Sequence, residues 1–149
     1  MKKFFIILGC IALILIVIAA AFVFSGHRLD SSSKAFVDIN MPRFFSTLSK
    51  DELLKISTVE VRQNMSSDPE VNHLFSKLKQ LGQFQKYEGS KGEANIVFNY
   101  KNGTMIMTAE YLASASFQNG PVQVDIKLIR DSGQWLINNF AINSPIFTK

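Results

Sequence analysis

From Phe4 to Phe24 the chain carries no charged or hydroxyl side chain, and it never again runs apolar for more than a few residues. Those 21 residues would reach roughly 31 Å as a helix, enough to cross a bilayer core of about 30 Å. Lys2 and Lys3 precede the run. Loops rich in Lys and Arg stay cytoplasmic, so the pattern predicts a single pass through the inner (cytoplasmic) membrane, with a cytoplasmic N-terminus and a periplasmic or extracellular domain. Secretory signals have apolar cores of only about 7 to 15 residues. Ala19, Ala20 and Ala21 nonetheless resemble a small-residue cleavage site, and Ile7, Leu8, Gly9 and Cys10 resemble a lipobox. The expected organisation is a transmembrane signal anchor, or a cleaved signal, at 1–24, a short Ser-rich tether, or the entry to the first helix, at 25–33, and one domain at 34–149.

Beyond the tether the apolar period is helical. Val37, Met41, Phe44, Phe45 and Leu48 recur at spacings of three and four, forming one stripe, with Pro42 expected to kink or restart the helix. Ser49 with Glu52, Ser57 with Glu60 and Ser67 with Glu70 fit capping boxes, so a string of short helices follows. The last has Pro69 in its first turn and an apolar face of Val71, Leu74, Phe75, Leu78 and Leu81, and it stops at Gly82.

After Gly82 the period changes to two. Val122, Val124, Ile126 and Leu128 alternate with Gln123, Asp125 and Lys127, and Trp135 and Ile137 alternate in the final strand. Asn102-Gly103, Asn119-Gly120 and Asp131-Ser132-Gly133 mark turns. Four antiparallel strands are predicted near 94–101, 104–118, 121–130 and 134–142, with a weaker one near 83–88 and a mobile hairpin loop from Glu88 to Glu93. Ala113 to Ser116 lack bulk where a sheet would bend or a helix press close. The fold class is therefore α+β: a transmembrane helix, then helices packed on a curved antiparallel sheet.

Composition narrows the chemistry. About 125 residues follow the apolar run, one domain's worth of core. The formal charge is +4, but two of those charges are Lys2 and Lys3, which is too weak a bias for a nucleic-acid surface. Cys10, inside the apolar run, is the one cysteine, so the domain has neither a disulfide nor a thiol ligand. His73 has no second His or Cys near it, and a metal site needs about three or four ligands. No glycine-rich phosphate loop and no Ser-His-Asp motif is present, so no catalytic residue, metal or cofactor is expected. Asn64-Met65-Ser66 and Asn102-Gly103-Thr104 match the glycosylation sequon, a pattern common by chance.

The order of helices before strands carries a resemblance, together with the Leu78–Gly82 helix end leading into Phe84 and Tyr87. The closing Asp131-Ser132-Gly133-Gln134-Trp135-Leu136-Ile137, followed by Phe140 and Ile142, adds to it. Over residues 31–145 the chain resembles the cone-shaped NTF2-like superfamily, within it the small exported or membrane-anchored domains of unknown function. It is also similar to the VirB8-like inner-membrane components of type IV secretion systems. It departs from them in having almost no cytoplasmic tail and no counterpart of their asparagine-proline loop. The NTF2-like resemblance implies a cavity between helices and sheet, for which Tyr87, Tyr100 and Tyr111 are the pocket candidates. Glu110 and Asp125 lie opposite the apolar face and are expected in solvent.

Two function classes remain open. The first is an anchored, non-enzymatic domain that binds protein, either a second copy of itself or the subunits of an envelope complex. Apolar residues left over after core filling, Phe117, Ile146 and Phe147, would make the contact. The second is a protein or enzyme that takes a small apolar ligand in the cavity. A filled cone favours the first and an open one the second. The bilayer, contacted through residues 4–24, is a partner in both.

Overall fold

Val37, Met41, Phe44 and Phe45, on one face of the first helix, are each no more than 1% exposed. They place that helix across the concave side of a sheet. The computed structural model describes residues 2–99 and 103–148, with side chains described at 13–19, 28–66, 68–98 and 103–147. Four helices come first: α1 (Lys2–Thr47), α2 (Lys50–Lys55), α3 (Val59–Ser67) and α4 (Pro69–Leu78), followed by a 3-10 turn, Lys79–Leu81. A meander then runs β1 (Phe84–Asn99), β2 (Thr104–Phe117), β3 (Gly120–Asp131) and β4 (Gln134–Asn143), closed by a 3-10 turn, Pro145–Thr148. The four strands form one antiparallel sheet in chain order. The α+β class, with helices on a curved sheet, is as the periodicity predicts.

Several local expectations are corrected. The segment 25–33 is helical and part of α1, so of its two expected roles the helical one holds and the tether does not. Serine is tolerated there because its hydroxyl can return to the helix backbone: Ser32 Oγ and Ser33 Oγ donate to the Leu29 carbonyl at 3.0 and 2.8 Å. Pro42 lies inside α1 without ending it. A proline in a helix costs about 3 kcal/mol. Met41, Phe44 and Phe45 are buried around it, and each such side chain contributes about 1.5–3 kcal/mol, enough to offset that cost.

Among the described residues no helix is long and apolar enough to cross a membrane, so the expected transmembrane helix is not supported by them. Leu13 to Ile18, the described part of the apolar run, are 47–68% exposed.

The capping boxes are displaced. Ser49 precedes α2 but makes no side-chain cap, and Glu52 turns to Lys55 at 2.6 Å. The cap of α3 is Thr58, whose hydroxyl accepts from Val61 N, and that of α4 is Asp68, which accepts from Glu70 N. Ser57 is instead buried and donates to the Leu53 carbonyl at 2.7 Å. For α3 and α4 the cap belongs to the residue after the predicted serine, Ser57 being bound to the turn before it and Ser67 being the last residue of α3.

The segment Glu88–Glu93 is not a loop: β1 is one strand of 16 residues. Its register with β2 slips between Tyr87 and Gly89, where Gly89 takes φ +99°, and then runs unbroken from Gly89↔Ser114 to Asn99↔Thr104. The predicted weak strand and its successor are thus joined across a bulge. At the far edge of the sheet, Thr58 N donates to the Ile137 carbonyl at 2.9 Å and Ile137 N to the Ile56 carbonyl at 2.8 Å. The α2–α3 connection thereby covers β4, which would otherwise offer unpaired backbone groups.

Candidate functional site

The polar residues nearest the concave face gather where α1 meets β1 and β2. Asp30, Lys34 and Asp38 stand four residues apart on α1 and form a polar row beside the apolar stripe. Lys34 Nζ lies 2.7 Å from Asp38 Oδ2 and donates to the Ser90 carbonyl at 3.0 Å. Asp38 Oδ1 accepts from the Tyr87 hydroxyl at 2.7 Å and from Ser90 Oγ at 2.6 Å. About two turns from Asp38 towards the N-terminus, Asp30 Oδ1 accepts from Ala94 N at 2.6 Å.

The Tyr111 hydroxyl lies 2.9 Å from the buried Ser33 Oγ and donates to the Asp30 carbonyl at 3.2 Å. In an antiparallel pair, alternate residues turn both backbone groups towards the same side. The Ser90 carbonyl and Ala94 N–H therefore face away from β2, and α1 caps this edge of the sheet with charged side chains.

The electrostatics follow from that packing. Burial pushes the Asp38 carboxyl up, but hydrogen bonds from Lys34, Ser90 and Tyr87 and the charge of Lys34 outweigh it and hold the group below its ordinary value. Burial, then the bond to Asp38 and its negative charge, raises the Tyr87 hydroxyl well above the usual tyrosine range. Burial also raises Tyr111, opposed by its bond with Ser33 and reinforced by the charge of Asp30. A tyrosine held protonated against a carboxylate held ionised fastens two elements. Neither group is poised to exchange a proton near neutral pH.

Two of the pocket candidates, Tyr87 and Tyr111, thus belong to one cluster; Tyr100 lies outside the described residues. The space between helices and sheet holds Val37, Met41, Phe44, Phe45, Leu53 and Leu78 from one side and Val122, Val124, Ile126, Leu128 and Ile137 from the other. Open clefts of about 580, 570 and 400 Å³ lie around this core, and neither Tyr87 nor Tyr111 lines any of the three.

Phe117 is corrected: it is 3% exposed, in the core, and not left over for a partner. It shares the inward face of β2 with Ala113 and Ala115, and its ring packs 5.6 Å from Phe84 and 6.1 Å from Phe45. Ile146 and Phe147 are half-buried, and Phe147 lines the 570 Å³ cleft with Pro121, Ile142 and Pro145.

Glu110 and Asp125 are in solvent, paired with Lys127 at 3.0 Å and Asn143 at 3.0 Å. Trp135 is 7% exposed in the core; its indole N–H donates to Ser32 Oγ at 3.0 Å, and Arg130 lies 5.9 Å from its ring centre. His73 and Asn64 are exposed, and Asn102 lies outside the described residues. Among the described residues no three His, Cys, Asp or Glu side chains cluster as metal ligands.

Sequence reading missed Asp30, Ser33, Lys34, Asp38 and Ser90. The i, i+4, i+8 spacing of Asp30, Lys34 and Asp38 was a signal for the row on α1, but nothing local marked Ser90 as its partner. No protein-family model matches the chain, and no curated protein matches it.

Proposed function

We propose that this chain is a membrane-anchored, extracytoplasmic domain of NTF2-like type that binds protein and carries out no catalysis. Its role would be that of an accessory or structural subunit of an envelope complex, or of a self-associating domain. The observation that carries the reading is the fate of the two described tyrosines: both hydroxyls are committed to α1 and neither is offered to a ligand. A ligand site would need polar groups converging on an apolar void, and Tyr87 and Tyr111 line none of the three open clefts, the one of about 580 Å³ walled by Phe45, Phe84 and Phe117 included.

Membrane anchorage rests on Phe4–Phe24. A helix apolar on every side needs either a protein interior or lipid around it, and Leu13 to Ile18 are exposed on theirs. With the N-terminus cytoplasmic, the anchor is the uncleaved signal, and the domain lies outside the inner membrane. With Phe117 withdrawn into the core, the contact surface falls to Phe147 and Ile146 and the cleft beside them, walled by Pro121 and Pro145.

The test is to extract the native protein in mild detergent and weigh the intact chain and its companions by mass spectrometry. A full-length chain with stoichiometric protein companions, lost on Phe147→Asp, is the expected result. A chain shortened by its first 24 residues, or one carrying a small molecule in place of a protein, overturns the proposal.

A further inference from the structure

The β1–β2 hairpin outruns the rest of the sheet. β3 pairs with β2 only from Thr108 onward, so the cross-strand pairs Ile96↔Met107, Val97↔Ile106 and Phe98↔Met105 project past the third strand. All six residues are apolar, on both faces of the ribbon. Ile96 is 48%, Val97 50% and Met105 70% exposed. An antiparallel sheet with one face in water alternates apolar and polar positions, and Glu110, Gln123, Asp125 and Lys127 do so on the outer face nearby. At 96–98 and 105–107, where the hairpin leaves the sheet, the alternation gives way to three consecutive apolar residues on each strand.

The contacts with α1 fix where that end points. Asp38 meets Tyr87 and Ser90, Lys34 meets Ser90, and Asp30 meets Ala94. β1 therefore runs towards its C-terminal end as α1 is followed back towards its N-terminus. Phe24, the end of the apolar run, lies six helical residues before Asp30, about 9 Å. Ile96 to Phe98 lie two to four strand residues past Ala94, about 7–13 Å. The apolar ribbon and the boundary of the apolar helix thus stand at the same height.

We infer that residues 96–98 and 105–107 form a second membrane contact, resting in the lipid headgroup interface beside α1. This rests on the anchor reading above and adds to it a depth and an orientation. The interface, and not the hydrocarbon core, is the level the backbone allows. A two-stranded ribbon has unpaired edge groups, which the dry core of a bilayer does not tolerate and headgroup water satisfies. Large apolar side chains on such a ribbon enter the acyl boundary while its backbone stays wet.

The test labels single cysteines with an environment-sensitive fluorophore in the full chain, reconstituted in vesicles of phosphatidylcholine and phosphatidylglycerol that contain lipids carrying a nitroxide quencher near the headgroup. Val97→Cys, Met105→Cys and Gln118→Cys are made on Cys10→Ser; the native chain, labelled at Cys10, reports the anchor. Gln118 follows β2 at its opposite end and is exposed. Blue-shifted emission, quenched several-fold more at positions 97 and 105 than at 118, is the expected result.

Water-like, unquenched emission at 97 and 105 while Cys10 is quenched overturns the ribbon contact and leaves the anchor standing. Blue-shifted emission that lipid quenchers do not touch, with cross-linking between chains at 97 or 105, overturns it in favour of a protein contact. Quenching at 97 and 105 without quenching at Cys10 upholds the contact and rejects the anchor.

Discussion

Gly92 of β1 pairs with Tyr111 of β2. A Cβ built there would run into the Glu110 carbonyl and come within 2.7 Å of Tyr111 Cα, both of them backbone and unable to swing aside. Gly92→Ala is expected to destabilise the domain by about 1–3 kcal/mol, as overpacking does, with a lower urea midpoint as the check. Asp38 adds a dependence on pH. Its folded value lies below the ordinary 3.8, so its stabilisation is complete above that value and is lost as the pH falls through the folded one. The melting-temperature gap between wild type and Asp38→Asn should therefore close in acid, below pH 3.8. A gap constant from about pH 7 to about pH 2 would refute the assignment. Of Gly92 and Asp38, the sequence reading touched only Gly92, inside the loop expected from Glu88 to Glu93. Its real constraint comes from a strand 18 positions away at Glu110, which no local window contains.

At the level of elements, the largest single effect is expected from the join between β4 and α1. Trp135 is buried in the core and bonded to Ser32, so Trp135→Ala should cost about 3–5 kcal/mol. An unchanged thermal midpoint would show that the ring does not plug the core. Tyr87→Phe leaves Asp38 its bonds to Lys34 and Ser90 and should cost only about 1 kcal/mol, read by chemical denaturation.

Element types were legible because the periods are strong: three to four residues in α1 and α4, two in β3 and β4. Element ends were less so. Ser57 and Ser67 fit capping boxes by spacing, yet Thr58 and Asp68 cap: the α2–α3 connection is bound to β4, and α3 runs on through Ser67. The merging of two predicted strands into β1 depended on a bulge at Tyr87/Gly89 and on capping by α1, both of them tertiary. Phe117 was misplaced because a strand's last residue looks expendable until the aromatic rings that meet it are known.

For the molecule as a whole, each edge of the sheet is covered over part of its length: Ser90 and Ala94 of β1 by side chains of α1, and Ile137 of β4 by the α2–α3 connection. Strand addition along these stretches is blocked, so the protein binding proposed above would use side-chain surfaces such as that around Phe147. α1 carries a further consequence. It is one helix from Lys2 to Thr47, at about 1.5 Å per residue some 70 Å of rod, and its second half is bolted to the sheet. Under the anchoring proposed above, such a rod would have no swivel. A partner would then approach at a set height above the bilayer and from a set compass bearing, and any tilt of the rod within the lipid would turn the whole sheet by the same angle.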